Sequence, residues 1–321
     1  MGTVNRPKGW PPIMSDPTGA SDADAQHVMP AASAGIFAIG GDLPVNRLGF
    51  GAMRLAGGQW SWGPPADENA ARYVLQRAVD LGVTFIDTAD AYGPYVVEDL
   101  IRTTLSPYND NLVIATKGGQ TRSGSDKWEP VGRPEYLRQC VAMSLQRLGL
   151  ERIDLYQLHR IDPLVALEDQ IGALAQMQEA GLIRHIGLSE VDVDQLKSAQ
   201  AIAPIVSVQN LYNLGNRMHE PVLDYCESNG IAFIPWFPMA MGRLARENSP
   251  LAAVAAERGA TPAQVALAWL LRRSPVMIPI PGTSSVRHLE QNCLAAEVTL
   301  TDQQFDDIAA MVPDTHKAPP S

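Results

Sequence analysis

The chain has 321 residues, of which 45% are hydrophobic and 19% charged. That is the composition of a water-compatible globular protein with enough apolar residues for a sizeable core. The 25 basic and 35 acidic side chains give a formal charge of −10. A chain of that charge gains nothing from the counterion release that drives nucleic-acid binding. No apolar run approaches the roughly 18 residues of a membrane span, and no signal peptide is visible at the N-terminus. Cys140, Cys226 and Cys293 lie far apart and form no CxxC pair, so reduced thiols and a cytoplasmic location are expected.

In chain order, residues 1–33 are poor in large apolar groups and read as a disordered tail. Residues 34–312 carry the barrel-like pattern described next, and 313–321 read as a second tail. Ile36–Val45, turning at Gly40-Gly41-Asp42, suits a β-hairpin that closes the bottom of a barrel. Arg47–Arg54 is a first strand. Short apolar runs follow at Phe85–Asp87, Leu112–Thr116, Ile153–His159, Ile183–Ser189, Val206–Gln209, Ile231–Trp236 and Val276–Ile280. Runs this short and rich in Val and Ile suit strands buried on both faces. Between them, Ala71, Val74, Leu75 and Ala78 keep helical spacing, as do Leu137, Val141, Leu145 and Leu148. Thr261-Pro262-Ala263-Gln264 and Thr301-Asp302-Gln303-Gln304 have the form of capping boxes, the second opening a C-terminal helix.

Eight strands alternating with helical sequence imply an α/β fold, an eight-stranded parallel (β/α) TIM barrel with an N-terminal hairpin and a C-terminal helix. A doubly wound sheet would carry GxGxxG after its first strand; Gly49-Phe50-Gly51 has no third glycine in register.

In a barrel the C-terminal strand ends face the active site. Asp87 ends the second run, with Tyr92 just beyond it; Lys117 follows the third and His159 ends the fourth. An ammonium beside a phenol lowers its pKa from about 10, and a carboxylate holds the ammonium in place. An imidazole can donate to a substrate carbonyl. Together the four groups suit protonation of an oxygen that gains charge as hydride arrives. Trp60 and Trp62 follow the first strand and are candidates to line a substrate pocket, or else exposed loop aromatics. The six histidines show no metal-ligating spacing, so no metal is expected.

The stretch Phe85-Ile86-Asp87-Thr88-Ala89-Asp90-Ala91-Tyr92-Gly93 resembles the second-strand signature of the aldo-keto reductases. Ala115-Thr116-Lys117, Tyr156-Gln157-Leu158-His159-Arg160, Ile186-Gly187-Leu188-Ser189, Val208-Gln209 and Ile280-Pro281-Gly282-Thr283-Ser284-Ser285-Val286-Arg287 resemble later motifs, in order. The resemblance implies NADPH-dependent reversible reduction of aldehydes or ketones, with Tyr92 as general acid and Asp87, Lys117 and His159 completing a tetrad. It implies a cofactor site at Gly51, Met53, Asp87, Ser189, Gln209, Trp236, Phe237, Pro238, Met239, Gly242, Arg243, Gly282, Thr283, Ser284, Arg287, Gln291 and Asn292. Ser189 and Gln209 would hold the nicotinamide carboxamide, with Phe237 favoured over Trp236 as the stacking ring. Two departures stand out: Glu190 replaces a frequent Asn, and Gly282-Thr283 replaces a frequent Lys, so a preference for NADPH over NADH leans on Ser284 and Arg287.

Three other readings compete. The first is a nicotinamide-binding regulatory subunit with little turnover. A hydrolase and an aldolase using Lys117 as a Schiff base are the others. A small carbonyl substrate is the expected partner, with no membrane or nucleic acid, for a monomer or weak homo-oligomer.

Overall fold

The computed structural model describes residues 29–58, 60–239, 246 and 249–312. The expected positions Gly242 and Arg243, and both outer tail stretches, lie outside them.

The chain begins to pack earlier than its composition suggests. Pro30–Ala34 forms a 3-10 turn, and Ala31 is fully buried with its N–H on the Leu81 carbonyl, so 30–33 belong to the folded body. Strands β1 (Ile36–Ile39) and β2 (Leu43–Asn46) pair antiparallel as a hairpin. Gly40 sits at its turn with φ +64°, and a Cβ there would meet the His185 ring at 2.5 Å. Only glycine fits both constraints.

The sheet then runs β3 (Phe50–Gly51), β4 (Phe85–Asp87), β5 (Val113–Gly118), β8 (Ile153–Leu158), β9 (Ile183–Ser189), β10 (Ile205–Gln209) and β11 (Ala232–Phe233). These seven strands are parallel, each hydrogen-bonded to the next. The expected eighth run, 276–280, contributes a single parallel bridge, Phe233 to Met277. It nevertheless joins both neighbours: Ile278 N–H donates to the Phe233 carbonyl at 2.8 Å, and Gly49 N–H to that of Pro279 at 3.0 Å. Pro279 has no N–H to give, which is why the ladder does not extend. Pro235 has the same effect after β11, and the first strand is two residues long instead of eight. The result is a curled α/β barrel.

The described α-helices are α1 (Glu68–Asp80), α2 (Val96–Leu105), α3 (Pro134–Leu148), α4 (Leu167–Glu179), α5 (Val193–Gln200), α6 (Glu220–Ser228), α7 (Ala252–Glu257), α8 (Pro262–Arg273), α9 (Val286–Leu294) and α10 (Asp302–Met311). The periodic residues face inward as expected: Ala71, Val74, Leu75 and Ala78 of α1 are all buried. Both predicted capping boxes close reciprocally, Thr261 with Gln264 and Thr301 with Gln304. One cluster, including Phe85, Ala115, Leu155, Ile234, Ile278 and the hairpin's Ile39, fills the barrel interior. Two larger clusters lie between strands and helices. Each fully buried Leu, Ile or Phe contributes about 1.5–3 kcal/mol.

Sequence periodicity gave no sign of a further hairpin, β6 (Gln120–Gly124) with β7 (Lys127–Pro130), placed directly after β5. It lies at the C-terminal end of the barrel, where the site is.

Candidate active site

Alternation along a strand sends every second side chain into the barrel. On β4 that set is Phe85 and Asp87, on β5 Ala115 and Lys117, and on β8 Leu155 and Gln157, continuing to His159. The apolar member of each pair lies in the interior cluster, and the polar members stack above it at the mouth.

Lys117 is fully buried. Its Nζ donates to Asp87 Oδ1 at 2.6 Å, to the Thr88 carbonyl at 2.8 Å and to Tyr92 Oη at 3.3 Å. The other oxygen of Asp87 accepts from Gln157 Nε2 at 3.0 Å and from Gln209 Nε2 at 2.8 Å. The carboxylate is thus fully used, which is what a buried charge requires. Burial pulls the Lys117 ammonium down, but Asp87 and Tyr92 more than offset it and its pKa lies above the usual value. The lysine therefore stays charged, and a Schiff-base role, which needs a neutral amine, is disfavoured.

The Tyr92 phenol departs from expectation. Burial is the largest influence and raises its pKa; Lys117 lowers it, Asp87 adds to the rise, and the net shift is upward. The carboxylate that anchors the ammonium also screens it. Tyr92 is therefore protonated at neutral pH, the state an acid needs before it acts. His159 is held well below its ordinary pKa by burial, with Lys117, Arg160 and Arg122 adding to the effect. It is neutral. Its ring meets that of Tyr92 edge-on, centroids 6.0 Å apart. Its Nδ1 is buried without a hydrogen bond among the described residues.

The structure brings the four predicted groups together. Gln157 joins them although sequence reasoning left it inside a motif without a role; its place two residues before His159 on the inward face was the available signal. Arg160 is another omission. Its Nη1 donates to the His159 carbonyl at 2.6 Å and to Ser189 Oγ at 2.9 Å.

Glu190 does not stand in for an amide donor. It adopts φ +57°, and Oε1 accepts from the Leu211 N–H at 2.5 Å and from Trp236 Nε1 at 2.6 Å; His219 lies 3.7 Å from Oε2. Burial raises its pKa, but the His219, Trp236 and Leu211 contacts outweigh burial and keep it below the usual value. Glu190 is thus an ionised strut under Trp236. That indole packs against the interior cluster, while Phe237 meets it edge-on at 5.0 Å. Pro238 is buried, and Met239 packs on an outer cluster.

Gly51 and Gly282 bring two backbones together at the mouth. A Cβ on Gly51 would lie 2.7 Å from the Ile280 carbonyl oxygen, and one on Gly282 2.6 Å from that of Gly51. Met53 sits in the half-buried turn just after Gly51. Thr283 Oγ1 accepts from the Ser285 N–H, and Ser285 caps α9. Ser284 and Arg287 are exposed there, and Arg287 has no carboxylate partner among the described residues. On the same helix Gln291 is half-buried, and Asn292 has a buried Nδ2 with no hydrogen bond among the described residues. No group of His, Cys, Asp and Glu suited to a metal occurs among the described residues. No described helix is long and apolar enough to cross a membrane.

A parallel β/α barrel with a protonated phenol, a buried ammonium–carboxylate pair and a neutral imidazole at its C-terminal face has the equipment of a carbonyl oxidoreductase. The chain belongs to the aldo/keto reductase family, whose model matches residues 47–313, and it is an NAD(P)H-dependent oxidoreductase. It is 52% identical to an uncharacterized oxidoreductase of Schizosaccharomyces pombe, over 89% of this chain and 92% of that one. It is 45% identical to the pyridoxine 4-dehydrogenase of Escherichia coli, over 82% and 93%. The glycerol dehydrogenase of Gluconobacter oxydans superposes with a TM-score of 0.80 at 26% identity, covering 90% of this chain and 99% of that one.

Proposed function

We propose that this protein reduces aldehydes or ketones to alcohols reversibly, with NADPH as the cofactor and Tyr92 as the general acid. The observation that carries the reading is the Tyr92 hydroxyl, kept protonated by burial and poised 3.3 Å from a charged, fully paired Lys117.

A reduced nicotinamide held at this site would supply the hydride. Tyr92 Oη gives its proton to the carbonyl oxygen as that oxygen gains negative charge, and Lys117 stabilises the phenolate left behind. Asp87 keeps the ammonium in position, and Gln157 and Gln209 keep Asp87 in position. His159, being neutral, donates from Nε2 to the same oxygen without competing for the proton. Ser189 accepts from Arg160, so its own proton is free for a carboxamide oxygen. Gln209 has its Nε2 committed to Asp87, which leaves Oε1 to accept from the amide. Trp236, braced by Glu190, and Phe237 beside it are the two candidate stacking rings. Ser284 and Arg287 would hold the 2′-phosphate at the start of α9, and Gln291 and Asn292 the adenine end.

The relative named for pyridoxine oxidation makes pyridoxal a natural first substrate to assay, beside 4-nitrobenzaldehyde. Tyr92→Phe removes the transferable proton alone. Turnover should fall by about 100-fold or more, with NADPH affinity unchanged as read by cofactor fluorescence. Full activity in this variant would refute the assignment.

A further inference from the structure

A strut under Trp236 needs only a hydrogen-bond acceptor, yet position 190 carries a full negative charge. Its backbone has φ +57°, in the left-handed region that Asn or Asp adopts more easily than a longer side chain. Strain of this kind persists where the surroundings hold it, and it gathers at functional sites. Here the hold comes from Oε1, which accepts from the Leu211 N–H and Trp236 Nε1, and from the Glu190 N–H on the Gln209 carbonyl at 3.0 Å. Ser189 closes β9, Gln209 closes β10 and Trp236 follows β11, so three strand ends meet at this carboxylate. They are the same three positions that the carbonyl-reductase reading gives to the nicotinamide.

The neighbouring charges decide what an anion does there. Asp87 is spent on Lys117, and that pair has no net charge. Arg160, bonded to Ser189 Oγ, has no carboxylate within 4 Å among the described residues. Burial lowers the Arg160 pKa, and the Glu190 charge acts against that, so the two groups feel one another. A nicotinamide ring is neutral when reduced and carries one positive charge when oxidised. Arg160 alone would repel the oxidised ring; Glu190 offsets it and attracts that ring.

We propose that Glu190 determines which redox form of the cofactor the site prefers, its charge favouring the oxidised nicotinamide over the reduced one. The inference rests on the nicotinamide placement in the carbonyl-reductase reading and deepens it. The overall balance of alcohol and carbonyl is untouched, since a catalyst does not alter it. What changes is the nucleotide level at which alcohol oxidation begins, and how strongly oxidised cofactor inhibits carbonyl reduction.

Isothermal titration calorimetry without substrate gives the Kd of NADPH and of NADP+ for wild type, Glu190→Gln, Glu190→Asn and Glu190→Asp. Unit charges about 10 Å apart in a half-buried site change such a preference by about fivefold or more. Gln drops the charge and keeps an oxygen for the Leu211 and Trp236 donors; Asn drops it and suits the left-handed backbone. Both should weaken NADP+ relative to NADPH by about fivefold or more, and Asp, which keeps the charge, should stay within about twofold of the wild-type ratio. A merely structural role would weaken both nucleotides in parallel. An unchanged ratio in the neutral variants, or an equal loss in Glu190→Asp, would overturn the proposal; if Glu190→Gln does not fold, Glu190→Asn decides. A wild type that binds neither nucleotide removes the nicotinamide site itself, and the carbonyl-reductase reading falls with the proposal. A wild type that binds both, with matching ratios in all variants, sinks the proposal alone.

Discussion

Replacing Lys117 with Met keeps the length of the side chain and removes its charge. The substitution abolishes hydrogen bonds to Asp87, Thr88 and Tyr92 at once. Asp87, 1% exposed, is left with two neutral amide donors and no counter-charge. Breaking a buried ion pair from one side costs about 3–5 kcal/mol. At about 2–4 °C per kcal/mol for a domain of this order, the melting temperature should fall by roughly 6–20 °C. Activity should fall by about 10²–10⁴, because the phenolate loses its stabilising cation. Adding Asp87→Asn removes the stranded charge, so the double variant should recover more than half of the lost stability while remaining inactive. Thermal melts of the two single variants and the double close the cycle. A Lys117→Met protein that melts within about 2 °C of wild type, with no gain from the second change, would show that the pair is not buried as described.

The His159 imidazole is depressed when folded but ordinary when unfolded. Below about pH 6.5 the unfolded chain binds a proton that the folded one refuses, so this group costs stability as pH falls, by up to about 1.4 kcal/mol per pH unit. Urea midpoints at about pH 7.5 and 5.5 should diverge more for wild type than for His159→Gln, and equal shifts would count against the assignment. Asp90 titrates with the opposite slope: burial, then Glu98, raises it from 3.8 to about 7, so its contribution is lost as pH rises through that range in both proteins. Tyr156 has a fully buried hydroxyl with no hydrogen bond among the described residues, so Tyr156→Phe should be neutral or stabilising by up to about 1 kcal/mol in chemical denaturation. Gly118→Ala would place a Cβ 2.0 Å from that hydroxyl, and its destabilisation should shrink in the Tyr156→Phe background. Arg287→Ala should raise the KM for NADPH about tenfold or more and leave that for NADH within about threefold; a parallel loss for both would exclude 2′-phosphate recognition by this residue.

Local chemistry made much of the architecture legible. Strands at Phe85–Asp87, Ile153–Leu158 and Ile183–Ser189, helices set by 3.6-residue spacing, and two capping boxes all depend on neighbours within a few residues. Prolines 235 and 279 were equally visible, but their effect on pairing was not, because a missing donor matters only once a partner strand is opposite. The residue types of Asp87, Tyr92, Lys117 and His159 and their places at strand ends came from the same local pattern.

What only the tertiary structure decided is how those groups behave. The sign of the Tyr92 shift depends on burial competing with Lys117, and on how far Asp87 cancels that ammonium, which are distances and depths rather than sequence. Gln157 and Gln209 come from different strands to one carboxylate oxygen, 70 and 122 residues from Asp87 along the chain. Glu190 became a strut and not a ligand because Leu211 and Trp236 reach it across the barrel rim. Arg122 gathers carbonyls from residues 60, 61, 91 and 125, a set with no sequence signature. The sequence by itself determined the fold class and which ionisable side chains stand at which strand ends. Folding decided the protonation states and the shape of the pocket, because both arise from long-range contacts and from the exclusion of water.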